Sequence, residues 1–162
     1  VRLAIVAIGR LKAGPERALA DRYVERARAL ARPLGLSGPE VSELPESRAR
    51  RDADRRAEEA SALAARLPDG ALVVLDERGR TLDSPGFADR LGGWRGAGRP
   101  AATFVVGGPD GLDETIRARA DLVLSFGALT IPHQIVRGLV AEQIYRALTI
   151  LSGHPYHRGG DR

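Results

Sequence analysis

The sequence predicts an α/β domain built on a mainly parallel sheet, and three observations lead there. Apolar, β-branched runs of strand length alternate with helical periodicities from one end of the chain to the other. Several of these runs are continuously apolar, as strands covered on both faces are. Glycine-rich segments follow the runs, where a parallel sheet leaves a crevice for ligands. At 162 residues the chain is the size of one domain. No linker, repeat or low-complexity tract divides it, so residues 1–162 read as a single unit.

The elements follow in order. Residues 1–8 are short, apolar and closed by Gly9, a first strand. Pro15 opens a helix in which Leu19, Tyr23, Ala27 and Leu30 recur at helical spacing, and Pro33 stops it. A weak strand spans residues 41–44. A very polar helix over residues 48–67 keeps Ala53, Ala57, Ala60, Leu63 and Leu67 on one face. Residues 71–75 form a buried-type strand. Ser84 and Pro85 start a short helix with Phe87, Leu91 and Trp94 inward. Residues 101–106 are another strand, followed by the turn Gly107-Gly108-Pro109-Asp110-Gly111. A helix over 113–120, a strand at 122–124 and a helix over 132–151 complete five strands and five helices. The last helix carries one stripe of Ile135, Leu139, Ile144, Leu148 and Leu151 and a second of Val136, Val140 and Ala147. Covering a sheet needs only one apolar face, so the second predicts a homodimer; the alternative is cover from another helix of the same chain.

Composition narrows the chemistry. There is no cysteine, which removes disulfides, thiolate metal sites and cysteine nucleophiles. Lys12 is the only lysine among 25 basic residues. Residues 1–68 hold 14 basic and 10 acidic side chains, which accounts for the whole net charge of +4. Such a balance permits a nucleic-acid partner without demanding one. No apolar run reaches the ~20 residues of a membrane span, and no signal pattern opens the chain, so a cytoplasmic protein with no membrane partner is expected.

Three loops look specialised: residues 75–79, the glycine turn at 107–111, and the long, nearly uncharged stretch 125–132. Leu75, Leu129 and Ile131 can sandwich a flat ring whose edge bonds to exposed backbone groups. A dinucleotide fingerprint, a phosphate loop and a nucleophile elbow are all missing. His154 and His157 have no third ligand nearby, so no metal is expected. Arg137, set among Ile135, Val136 and Leu139, requires an anionic partner, phosphate or carboxylate. His133 reads as a packing residue at the start of the last helix.

These motifs together resemble the RlmH family of the SPOUT superfamily, bacterial methyltransferases acting on N3 of a pseudouridine in 23S ribosomal RNA. The resemblance spans residues 1–158. It rests on Ala7-Ile8-Gly9, Val74-Leu75-Asp76 with Gly79, and Val106-Gly107-Gly108-Pro109-Asp110-Gly111-Leu112. It continues in Leu124-Ser125-Phe126, Leu129-Thr130-Ile131-Pro132-His133-Gln134, Val136-Arg137, Glu142-Gln143-Ile144-Tyr145-Arg146-Ala147 and Tyr156-His157-Arg158.

The resemblance implies a C-terminal trefoil knot and S-adenosylmethionine held by Leu75, Gly108 and Gly127, Ala128, Leu129, Thr130, Ile131 and Pro132. A side chain at Gly108 is expected to fill cofactor space. The resemblance further implies a homodimer whose second subunit helps to build the RNA site, with the assembled ribosome as the expected substrate. His157 and Tyr156 are the candidate proton-handling groups, and Arg137 and Arg158 the candidate anion holders. The segment from His154 onward is expected to contribute little to the core. Gly159, Gly160, Asp161 and Arg162 extend beyond the usual family end and are expected to be a disordered tail. Val1 stands where the family has methionine, which suggests a GTG start codon read as valine. The competing readings are a non-catalytic RNA-binding or ribosome-assembly protein and a SPOUT enzyme acting on transfer RNA.

Overall fold

The computed structural model describes residues 1–158; the expected tail at 159–162 lies outside them. The order is β1 (Arg2–Ile8), α1 (Pro15–Ala31), β2 (Ser37–Leu44), α2 (Asp52–Arg66), β3 (Ala71–Arg80), α3 (Ser84–Gly96), β4 (Ala101–Val106), α4 (Glu114–Arg119), β5 (Leu122–Leu124) and α5 (His133–Ser152), with a 3-10 turn at Arg32–Leu34. All strand pairs are parallel, in the sheet order β2-β1-β4-β3-β5.

Period-two alternation decides which helices cover which face. Leu3, Ile5 and Ala7 of β1 join Val73, Phe104 and Leu122 in a core with α1, α3 and α5. Val6 and Ile8 join Leu72, Val74 and Val105 in a second core against α2 and α4. Strand β4 lies centrally and is buried at all six positions, which is why residues 101–106 read as an unbroken apolar run.

Three departures from the sequence reading have physical causes. Strand β2 begins at Ser37, because a parallel partner aligns polar residues that carry no apolar signal. Helix α2 begins at Asp52, since residues 45–51 are held outside it as an extended loop.

Strand β3 continues to Arg80, bulging between Leu75 and Arg80 and returning to Leu124 at the end of β5. At the return Gly79 passes so close that a Cβ would lie 2.5 Å from the Val123 carbonyl oxygen. Only glycine fits that crossing. The resulting strap lies against the chain leaving β5.

The second stripe of α5 is corrected by the fold. Val140 is 2% exposed and Ala147 fully buried, both within the core shared with α1 and α3. Another helix of the same chain therefore covers them, and Val140 is no dimer contact. Of the apolar groups of α5, Ile135 is exposed, and Val136, Leu139, Ile150 and Leu151 are partly so.

Val140→Asp is accordingly expected to unfold the protomer by placing an unpaired charge in the core, at a cost of roughly 3 kcal/mol or more. Val140→Ala should cost about 1–3 kcal/mol. Denaturant titration checks both; a soluble, fully stable Val140→Asp monomer would contradict this burial.

Candidate active site

The bulged end of β3 and the loops after β4 and β5 converge at the carboxyl edge of the sheet on a cavity of ≈ 440 Å³. Leu75, Val106, Leu124, Phe126 and Val136 give apolar walls, and Gly107, Gly108 and Gly127 present backbone edges. Seven of the expected residues line it: Leu75, Gly108, Gly127, Leu129, Thr130, Ile131 and Pro132. Ala128 lies in the same loop but is not part of the lining.

Ser125 holds two of these walls together. Its side chain sits within hydrogen-bond reach of the Glu77 carbonyl (3.0 Å) and the Gly127 carbonyl (2.9 Å), and it accepts from the Gly127 N–H at 3.0 Å. The Ser125 N–H donates to the Arg80 carbonyl at 2.8 Å. The serine is 5% exposed, so water competes little for these bonds.

The glycine turn works differently from expectation. A Cβ at Gly108 would meet the Ile8 side chain at 3.0 Å and Glu46 Cγ at 3.9 Å. A larger residue there presses on β1 and displaces the turn; it does not simply plug the cavity.

Charge at the mouth is mostly negative. Asp76 pairs with Arg117 at 3.1 Å and Arg78 at 3.4 Å. Burial would raise its carboxyl, but bonding to Arg78 and the charges of Arg78 and Arg117 outweigh this and hold it below the ordinary range. Asp110 receives a forked pair from Arg55, at 2.7 and 3.1 Å. Glu77 accepts the Thr130 hydroxyl at 2.9 Å and has no cationic partner among the described residues. Glu77, Phe126 and His133 are lining residues that the sequence reading did not assign. Glu77 lay in a loop already singled out, whereas His133 was taken for packing because a first-turn position does not say which way the ring faces.

The four candidate catalytic side chains do not join the cavity within one chain. Arg137 is 8% exposed; its guanidinium bonds Glu43 at 3.0 Å and reaches the Gly9 carbonyl at 3.4 Å. The anion it required is thus a carboxylate of the same chain, and it is not available to substrate phosphate. Burial would raise the Glu43 carboxyl, but the Leu11 N–H, Arg137 and Arg17 together hold it below its ordinary value.

Tyr156 packs edge-on to Tyr145, ring centres 4.7 Å apart, beneath the Arg146 guanidinium, and donates to Glu142 at 3.0 Å. Burial, then Tyr23 and Glu142, push its hydroxyl up, which disfavours a phenolate base. The expectation that the final segment adds little to the core is corrected by this docking. His157 Nδ1 lies 3.1 Å from Arg146 Nη1. Since arginine only donates, Nδ1 accepts and the neutral ring carries its proton on Nε2. Arg158 is exposed. Tyr156 and His157 fold back onto the middle of α5, at Glu142 and Arg146, whereas the cavity borders its amino end at His133 and Val136. From His133 to Glu142 alone the helix rises about 14 Å.

Among the described residues no group of three or more histidine or acidic side chains could hold a metal ion. No helix among them is long and apolar enough to cross a membrane.

A family profile described as "Predicted SPOUT methyltransferase" matches residues 1–157. A curated protein from Methylobacterium sp. (strain 4-46), named Ribosomal RNA large subunit methyltransferase H, is 61% identical over 160 residues, 98% of this chain and 99% of that one. Its namesake from Methylobacterium radiotolerans is also 61% identical, over 98% of both chains. Among solved structures, a probable methylase family protein from Haemophilus influenzae Rd KW20 superposes with a TM-score of 0.51 at 15% identity, over 97% of this chain and 70% of that one, a likeness of fold.

Two outcomes follow from the geometry. Ser125→Ala should lower stability by about 1–3 kcal/mol and speed amide exchange at Gly127 above all other loop sites; unchanged exchange there would refute the clamp. Glu43, held low in the folded state, contributes stability that is complete above its ordinary value of 4.5 and is lost as pH falls through the lower folded value. Glu43→Gln should therefore lower stability at neutral pH and flatten the acid limb, as denaturant titrations from pH 7 to pH 3 would record.

Proposed function

The chain belongs to the SPOUT methyltransferase family and is an S-adenosylmethionine-dependent methyltransferase of large-subunit ribosomal RNA; we propose that its acceptor is N3 of a pseudouridine in 23S RNA and that it works as a homodimer. The observation that carries this reading is the cavity at the sheet edge, with apolar walls, glycine backbone edges and one carboxylate, Glu77, lacking a cationic partner among the described residues. That donor set fits S-adenosylmethionine. Leu75, Ile131 and the glycine edges suit a flat base, and Glu77 suits a positively charged group. Residues Leu75, Gly108 and 127–132 would hold it. When bound, the cofactor supplies an electrophilic methyl group on a sulfonium.

The rest falls to the protein. An acceptor ring nitrogen must lose its proton and lie in line with the methyl carbon, so orientation supplies much of the acceleration. The candidate proton-handling and anion-holding groups His157 and Arg158 lie too far along α5 from their own cavity to act on it. A second copy resolves this by bringing its final segment to the first copy's cavity. The surface suited to such pairing holds Leu19, 40% exposed, and Ile135, 44% exposed. A Cβ at Gly138 would touch Leu19 at 3.1 Å, so Leu19 lies one helical turn from Ile135. Leu129, 82% exposed, stands at the cavity mouth nearby. In such a dimer His157 would leave Arg146 on binding RNA, which frees Nδ1 to accept a proton.

The test is methyl transfer from labelled cofactor to ribosomes lacking the modification, followed by mixing two disabled proteins. A variant with a displaced glycine turn, Gly108→Val, and one lacking His157 and Arg158 should each be nearly inactive. Mixed as heterodimers they should recover up to about a quarter of wild-type activity, since one of two sites is then intact in half of the molecules. No recovery, with heterodimers demonstrated by sedimentation, would overturn the shared site. Ile135→Asp should shift the protein to monomers and abolish transfer while leaving it folded.

A further inference from the structure

Beside the cavity, the β1–β2 half of the same sheet edge carries a cluster of cations that the site does not use. Arg10 and Lys12 follow β1, and Arg48, Arg50 and Arg51 follow β2; all five are exposed, and none makes an ion pair among the described residues. The two segments are neighbours, because Ile8 pairs with Leu44 and the Gly9 N–H donates to the Leu44 carbonyl at 2.6 Å. Three exposed acids lie by them, Glu46 against Gly9, Glu58 bonded to Ser47, and Asp52, which pairs with Arg56; the five cations outnumber these.

The arginine loop is built, not merely charged. Helix α2 reaches back to hold it: Glu59, 5% exposed, accepts the Ser47 N–H at 2.8 Å, and Glu58 accepts the Ser47 hydroxyl. Arg55 Nη1 donates to the carbonyls of Ala49 and Arg50, both at 3.0 Å. The other edge of the same guanidinium makes the forked pair with Asp110 of the glycine turn. One side chain therefore shapes the loop and fixes it to the cavity wall. It also occupies the loop's carbonyl oxygens, which would otherwise repel an anion.

We propose that Arg48, Arg50 and Arg51, assisted by Arg10 and Lys12, grip the phosphate backbone of the substrate RNA next to the target nucleotide, with Arg55 as the positioning residue that sets this grip relative to the cofactor cavity. The proposal rests on the RNA-methyltransferase reading and assigns the strand's path over the protein. The chemistry favours phosphate: guanidinium groups offer paired donors, and a flexible strand presents a charge at each nucleotide. An acidic protein surface is the other anion such a loop can meet, and the test separates the two.

The experiment compares the triple variant Arg48→Ala/Arg50→Ala/Arg51→Ala with a control of equal charge, Arg2→Ala/Arg32→Ala/Arg66→Ala. The control residues are exposed arginines at the opposite edge of the sheet. Binding to protein-free 23S RNA and to large ribosomal subunits is measured across a salt series, with S-adenosylmethionine affinity measured alongside. The grip predicts about a tenfold or greater loss of RNA affinity for the triple variant, and a salt slope flatter by about 2, near 0.7 for each lost phosphate contact. Cofactor affinity should stay unchanged, and the control should bind as wild type. Equal loss in both variants, or unchanged RNA affinity in the triple variant, overturns it. So does a loss confined to whole subunits, which would mark a protein partner. Arg55→Lys should raise KM for RNA while keeping the fold, and a KM unchanged from wild type would remove its positioning role. Failure of the unaltered protein to bind cofactor or transfer methyl would strike the functional reading, whereas the RNA-binding arm judges the grip separately.

Discussion

Everything at the sheet edge depends on how the chain leaving β5 is held against the continuation of β3. The Ser125 hydroxyl bridges the Glu77 and Gly127 backbones, and its N–H closes on Arg80. One partner is the bulged end of β3 and the other the loop after β5, and ordering each residue of such irregular segments costs about 1–2 kcal/mol. Fixed to each other, they share one buried set of bonds. They then present a preformed cavity, and a preformed site does not spend binding energy on its own ordering. Gly79 is the steric counterpart of Ser125, since no side chain fits where the strap passes Val123.

Helix α5 connects that cavity to the rest of the molecule and separates functions by its length. Its first turns border the cavity, and its middle is core and also receives the docked residues Tyr156 and His157. The Glu43–Arg137 pair ties the amino end to the end of β2, and Arg137 also reaches the Gly9 carbonyl after β1. It joins α5 to the region from which the arginine loop emerges, so the RNA-facing half of the edge and the cofactor half share one rigid support. A half-buried pair of this kind contributes little net stability, but removing one partner leaves a costly charge behind. Its value here is in fixing position.

Charge is sorted along this edge. Carboxylates gather around the cavity, where a cationic ligand is to be held, and free guanidinium groups gather beside it, where a polyanion would lie. Arg55 and Asp110 meet at the boundary and neutralise each other. The modest net charge of +4 conceals this division, because binding responds to the local field and not to the sum.

What the sequence by itself determined is the alternation of elements and the loops that meet at the sheet edge. Buried parallel strands demand unbroken apolar runs, and close approach of backbone demands glycine; both are written locally. Seven of the eight residues that the family resemblance implied line the cavity there. What the sequence could not determine is where side chains point and what covers them. Val140 and Ala147 are equally apolar whether α1 or a second subunit lies over them, and only the packing of α1 and α3 decided for the former. Arg137 called for an anion, but Glu43 lies 94 residues away in sequence, and only the pairing of β1 with β2 brought it near. Tyr156 and His157 carry the right chemistry for a site, yet they dock on Glu142 and Arg146, well along α5 from the cavity. Composition records which groups a chain owns; the rise of a helix and the order of strands decide which of them can meet.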